Sequence, residues 1–130
     1  MLTQWTEQQK QAFIKMQSMA QLAEYKTKFP GAAFQVIIFS KQDAGRFYTW
    51  ENDHEIRLID ITLLPPFRGK GIGSFLLGEL IKKSDKLQKK ISLHVEPSNP
   101  ALKLYRRSGF IHIKNNGRHY YMERYPELTK

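Results

Sequence analysis

Leu63-Leu64-Pro65-Pro66-Phe67-Arg68-Gly69-Lys70-Gly71-Ile72-Gly73-Ser74 decides how this chain is read. An apolar run with strand character precedes it (Ile56, Leu58, Ile59, Ile61, Leu63), and a run at helical spacing follows (Ile72, Leu76, Leu77, Leu80, Ile81). The three glycines therefore fall at a strand-to-helix junction. Backbone N–H groups in the first turn of a helix have no intrahelical partners and carry the positive end of the helix dipole. Glycines let an anion approach that main chain with no side chain in the way, so the stretch predicts a phosphate or pyrophosphate site.

Two other phosphate loops do not fit. A nucleotide P-loop needs a glycine five positions before its Gly-Lys and a Ser or Thr after it; Gly69-Lys70 has Leu64 and Gly71 in those places. A dinucleotide fingerprint needs Gly-x-Gly-x-x-Gly, and Gly69-Lys70-Gly71-Ile72-Gly73 brings its third glycine one residue early, with no second parallel half downstream.

Size and composition narrow the classes. At 130 residues the chain is expected to be a single domain, residues 1–130, with a core of its own. With 41% hydrophobic residues, no apolar run approaches the roughly 20 residues of a membrane span, so no membrane association is expected. Met1–Glu7 has neither a basic nor an apolar leader segment, and no signal peptide is expected. The absence of cysteine excludes disulfides, thiolate metal sites and a cysteine nucleophile, and fits a cytoplasmic location. Lys and Arg number 21 against 12 Asp and Glu, a formal charge of +9, which raises nucleic acid as a partner. The basic residues are scattered, however: Lys82-Lys83, Lys86, Lys89-Lys90, Lys103 and Arg106-Arg107 read as solvated helix faces. Nucleic acid is therefore set aside as the lesser alternative, while the basic surface would attract a polyanionic cofactor.

Along the chain, Thr6-Glu7-Gln8-Gln9 is a capping box, and Phe13, Met16, Ala20 and Ala23, widened by Met19 and Leu22, predict one amphipathic helix from about Glu7 to Lys28. Pro30-Gly31 stops it. Phe34-Gln35-Val36-Ile37-Ile38-Phe39 reads as a strand buried on both faces, Gln42-Asp43-Ala44-Gly45 as a turn, and Arg46–Trp50 as the returning strand. Asn52-Asp53 turns into a long strand from about Glu55 to Leu64. After the glycine loop a helix runs to about Ser84, followed by a strand, Ile91–Val95, so that strand, helix and strand form a crossover with the two strands parallel. Asn99-Pro100 caps a further helix that Ser108-Gly109 ends, and Asn115-Asn116-Gly117 joins a last pair of strands.

Arg68-Gly69-Lys70-Gly71-Ile72-Gly73 fits the Arg/Gln-x-x-Gly-x-Gly/Ala loop, and Asn99-Pro100-Ala101-x-x-Leu104-Tyr105-x-x-x-Gly109-Phe110 fits the strand-helix-strand motif that follows it, in the GNAT superfamily of acyl-CoA-dependent N-acyltransferases. From about Phe34 to Met122 the chain resembles that family. The resemblance implies an α/β fold of GNAT type, a mixed, mostly antiparallel sheet with a central parallel βαβ unit and helices on both faces. One departure is that no apolar strand precedes the first helix. Three readings of it stay open: a start codon within a longer frame, a lost first strand, or a homodimer whose neighbouring subunit supplies the missing edge.

The same resemblance implies attack of an amine on the thioester carbonyl of acetyl-CoA, the cosubstrate, through a tetrahedral oxyanion. Pyrophosphate would rest on the N–H groups of Gly69, Lys70, Gly71, Ile72, Gly73 and Ser74 beside Arg68. The pantetheine arm would lie along Ile61, Thr62 and Leu63, one of whose N–H groups could stabilise the oxyanion. Tyr105 matches the family's usual acid and would protonate the leaving thiolate. Asn99, with Ser98 competing, would orient the cofactor or a water. For the base, Glu55, Asp60, His94 and Glu96 remain open, His94 lying on the strand face opposite Ile91, Leu93 and Val95. Direct attack needs no metal, and His54, His112 and His119 share no ligand spacing. Three functions stay in play: an N-acetyltransferase acting on an unidentified amine acceptor, a non-catalytic acyl-CoA-binding module, and a nucleic-acid-binding protein.

Overall fold

The computed structural model describes residues 19–128. Thr6–Gln9, Phe13 and Met16, which carry the start of the expected first helix, lie outside them. The chain divides into two units, residues 1–32 and 33–130. In the first, residues 19–28 form helix α1. Gln21 Nε2 donates to Tyr25 Oη at 3.0 Å and Thr27 Oγ1 to Ala23 O at 3.1 Å. Phe29 N–H still reaches Tyr25 O, and Gly31, at φ +82°, turns the chain away where Pro30-Gly31 predicts. The half-buried stripe is Leu22, Tyr25 and Phe29, whereas Met19, Ala20 and Ala23 are exposed. At three- and four-residue spacing the larger side chains set the apolar face.

The second unit is a six-stranded sheet in the order β1-β2-β3-β4-β6-β5. Its strands are β1 (Ala33–Phe39), β2 (Gln42–Glu51), β3 (Glu55–Leu63), β4 (Lys90–Val95), β5 (Ile111–Asn116) and β6 (His119–Arg124), with helices α2 (Ile72–Leu87) and α3 (Ala101–Arg107). Every neighbouring pair is antiparallel except β3 and β4, which α2 joins in parallel. Strand alternation sends Ile56 and Leu58 of β3, Ile91, Leu93 and Val95 of β4, and Met122 of β6 to one face. There they pack with Leu77 and Leu80 of α2, Leu102 and Tyr105 of α3, and Phe110 in a single core.

Helix ends follow local chemistry. Asn99 Oδ1 accepts the Ala101 N–H at 2.9 Å across Pro100, which is itself the N-cap of α3, one residue later than Asn99-Pro100 predicts. Gln88, in the left-handed region at φ +54°, ends α2, and the Ser84 hydroxyl bonds the Lys89 carbonyl below it.

Three expectations are corrected. β1 is an edge strand, paired only with β2 among the described residues; Ile37 is buried, but Val36 and Ile38 are 58% and 59% exposed. Apolar composition reports β preference, and position in the sheet decides whether both faces are covered. The first hairpin turns at Ser40 and Lys41, both at positive φ, so that Phe39 pairs with Gln42; residues 42–45 lie inside β2. Gly45 belongs there because a Cβ would overlap the Thr62 carbonyl oxygen on β3. At the other end of the sheet the tight turn falls at Gly117-Arg118, one residue later than Asn116-Gly117, with Gly117 supplying φ +64°.

Candidate active site

The glycine loop is built from both sides. Leu64 N–H bonds Ala44 O at 2.8 Å as β3 ends, a 3₁₀ turn covers Pro65–Phe67, and Arg68 Nε reaches back to Leu63 O at 2.9 Å. Gly69 and Gly71 then adopt φ +74° and +80°, conformations that cost an L side chain about 1–2 kcal/mol. Gly71 is the N-cap of α2, no side chain caps that end, and no acidic residue stands in the first turn. The first intrahelical bond runs from Phe75 N–H to Gly71 O at 3.0 Å, which leaves the amides of Ile72, Gly73 and Ser74 ahead of the helical ladder. A Cβ on Gly69 or Gly71 would meet nothing within 4 Å. The loop thus presents aligned donors to open space, and the residues present fit a pyrophosphate.

Beside this loop the sheet opens. β3 and β4 pair from Glu55↔Lys90 only as far as Leu58↔Leu93, yet β3 continues to Leu63 and β4 to Val95. The cause is visible on the other side of β3, where the β2 register jumps from Asp60 to Leu58 and Ile59 is the extra residue. A bulge of that kind bends its strand. From Ile59 to Leu63 the β4-facing main chain pairs with no strand among the described residues, and this is the segment where Ile61, Thr62 and Leu63 are expected to bind cofactor.

Tyr105 is carried by α3 into the core. It is 6% exposed, its ring 5.6 Å from Phe110, and burial, with the charge of Asp60, pushes its hydroxyl up to about 12. It is therefore a neutral phenol, able to donate, across the physiological range. Asp60 itself pairs with Arg46 Nε at 2.8 Å and accepts the Thr62 hydroxyl at 2.7 Å. His94 is exposed on the face of β4 away from the core, its ring 5.1 Å from that of Tyr121, and it is the first residue of β4 past the last β3 pair. Glu96 follows β4 on the surface, 3.8 Å from His119. The side-chain oxygen of Asn99 is taken by the Ala101 N–H.

Glu55 stands apart. It occupies the opposite end of β3 from Leu63, eight residues or about 26 Å away along the strand, bonded to the Ser92 hydroxyl. Arg68 to Ser74 thus follow directly on Ile61 to Leu63 at the end of β3, Asp60 on the same strand acts on Tyr105, His94 is the first β4 residue beyond the last β3 pair, and Glu55 is at the far end of β3. Arg46 meets Asp60 and Tyr121 meets His94 by cross-strand register, a signal that the linear pattern does not carry.

No three His, Asp or Glu side chains gather as metal ligands among the described residues, and no helix among them is long and apolar enough to cross a membrane. Several of the scattered lysines meet carboxylates: Lys83 and Lys89 hold Glu51 at 2.7 and 3.1 Å, and Lys90 holds Glu123 at 2.6 Å.

A model of the acetyltransferase (GNAT) family matches residues 3–110. No curated protein matches the sequence. Among solved structures the chain is similar to the PaiA N-acetyltransferase of Thermoplasma acidophilum in complex with coenzyme A, at TM-score 0.66 and 19% identity over 93% of this chain and 80% of that one. It is similar to the ribosomal-protein-S18-alanine N-acetyltransferase of Escherichia coli at TM-score 0.67 and 22% identity, over 85% and 78% of the two chains. The Campylobacter jejuni N-acetyltransferase PseH in complex with acetyl coenzyme A gives 0.65 and 18%, over 93% and 86%. At these identities the likeness shows the fold. With the family match over most of its length, the chain belongs to the GNAT acetyltransferase family.

Proposed function

We propose that this chain is an N-acetyltransferase that moves an acetyl group from acetyl-CoA to a primary amine by direct attack. The observation that carries the reading is an uncapped, glycine-led helix N-terminus that follows directly on the segment of β3 left unpaired by β4. Acetyl-CoA would supply the activated acyl group. The amides from Gly69 to Ser74 would hold its pyrophosphate, and the unpaired edge of Ile61–Leu63 would hold its arm. A backbone N–H on that edge would stabilise negative charge developing on the carbonyl oxygen, an effect of about 3 kcal/mol for one donor. Tyr105 would give its proton to the departing sulfur, and His94, at the mouth, would take the amine proton directly or through water. Asp60 is already engaged by Arg46 and Thr62, and Glu55 lies at the far end of β3.

Thiol release from acetyl-CoA across a panel of primary amines tests this directly. Amine-dependent release supports the enzyme. Tight acetyl-CoA binding with no release on any amine supports a non-catalytic binding module instead.

A further inference from the structure

β3 breaks its own alternation. Ile56 and Leu58 face the core, and strict alternation would send Asp60 and Thr62 there after them. The bulge at Ile59 prevents this. Beyond it Ile61 pairs with Phe47 and both pack against the core, so Asp60 and Thr62 turn to the opposite face. The extra residue thus keeps a carboxylate and a hydroxyl out of an apolar interior.

On that opposite face the two side chains are tied to each other and to the neighbouring strand. Arg46 of β2 stands directly across from Thr62, and Tyr48 across from Asp60. The Arg46 guanidinium reaches diagonally to form an ion pair with Asp60, Nε to Oδ2 at 2.8 Å, while Oδ1 of the same carboxylate accepts the Thr62 hydroxyl at 2.7 Å. Both carboxylate oxygens are therefore used. With 26% of the Arg46 side chain and 13% of the Asp60 side chain exposed, water screens the pair only in part. The Arg46 guanidinium also lies 5.8 Å from the Tyr48 ring centroid, a second contact on the same stretch.

The clasp falls where β3 has least support. Residues 59–63 have no β4 partner among the described residues, and their ladder runs to β2 alone. A bulge leaves its extra residue out of that ladder, so backbone pairing by itself does not hold the bulged shape. The far end is fixed by the Leu64 N–H on Ala44 O at 2.8 Å and by the close approach of Gly45 to the Thr62 carbonyl. Between that end and Ile59, Arg46, Asp60 and Thr62 supply polar ties across and along the two strands.

We propose that Arg46, Asp60 and Thr62 are positioning residues: their clasp holds residues 59–63 in the shape that receives the pantetheine arm of acetyl-CoA. The inference rests on the acetyltransferase reading, and it gives Asp60 a role through the main chain in place of proton transfer. The three side chains do not touch the cofactor; they set the backbone that does.

The test compares acetyl-CoA, followed by calorimetry, with ADP, which carries a pyrophosphate but no arm and is followed through amide chemical shifts. Both are titrated into the wild type, Asp60→Ala, Asp60→Asn and Thr62→Val, each checked for folding by circular dichroism. Asp60→Ala should weaken acetyl-CoA binding roughly tenfold or more and leave ADP within about twofold. Asp60→Asn, whose amide oxygen still accepts the Thr62 hydroxyl, should recover part of that loss. Thr62→Val keeps the branched shape and removes only the hydroxyl; it should lose acetyl-CoA affinity selectively, by roughly threefold, and it carries the comparison if Asp60→Ala does not fold. Unchanged acetyl-CoA affinity in these variants, or an equal loss for acetyl-CoA and ADP, would overturn the clasp while leaving the acetyltransferase reading in place. A folded wild type that does not bind acetyl-CoA would overturn that reading as well.

Discussion

Glu123 offers a quantitative handle on how the sheet is held. It is 5% exposed on β6, with Lys90 of β4 and the hydroxyls of Tyr121 and Tyr125 bonded to its two oxygens. Burial alone would push its carboxyl up, but the Lys90 ammonium and the two hydroxyls outweigh burial and draw it down from 4.5 to about 2. Lys90 is raised in turn, chiefly by its bond to Glu123. A tenfold change in ionisation is worth about 1.4 kcal/mol, so this lowering corresponds to roughly 3 kcal/mol of stability at neutral pH. Because the folded value is depressed, that stability is present above the unfolded value of 4.5 and is lost as pH falls toward 2; by pH 3 about 2 kcal/mol of it is gone. Urea unfolding of the wild type and Glu123→Gln at pH 7 and pH 3 measures this. The two proteins should differ by roughly 3 kcal/mol at pH 7 and by about 1 at pH 3. An equal difference at both pH values would refute the reasoning, because a neutral hydrogen bond or packing defect would not titrate.

Gly45→Ala should destabilise the protein by about 3 kcal/mol or more in the same urea assay, since the new methyl meets the main chain of Thr62 and Leu63 and forces β2 from β3 where the glycine loop begins; a loss under about 1 kcal/mol would contradict that packing. Tyr105→Phe should lower kcat by roughly a hundredfold while leaving acetyl-CoA affinity within a few fold. Because burial and Asp60 hold the Tyr105 hydroxyl up at about 12, the wild-type rate should show no loss of this acid through pH 10, and an alkaline fall near pH 8 that Tyr105→Phe abolishes would count against it.

What could be read in the sequence was local. The glycine spacing places Gly69 and Gly71 where positive φ is needed, and Asn99-Pro100 announces the turn into α3 that Asn99 Oδ1 closes on the Ala101 N–H. The apolar alternation of Ile91, Leu93 and Val95 assigns the core face of β4 correctly. The parts that stayed hidden depend on partners distant in the chain. Val36 and Ile38 look like core residues until β1 proves to be an edge. Ile59 continues an apolar run, and only the pairing with β2 makes it the extra residue that opens the site. Glu55 and Asp60 are equivalent on one strand; the direction of that strand relative to the glycine loop separates them. Tyr121 gathers Arg57 and Lys114 because four strands come into register, which no window of sequence contains.

The central claim is that the loop from Gly69 to Ser74 holds the pyrophosphate of acetyl-CoA. Its most direct test is calorimetric titration of acetyl-CoA into the wild type, Gly71→Ala and Gly71→Glu, each confirmed folded by circular dichroism. The alanine variant carries the same backbone strain as the glutamate variant without its charge, so the pair separates the two effects. The account predicts binding at about micromolar Kd for the wild type, weaker binding for Gly71→Ala, and none for Gly71→Glu, whose carboxylate would stand in the open space before the α2 amides. A folded wild type that does not bind acetyl-CoA, or a Gly71→Glu protein that binds as the wild type does, would contradict it.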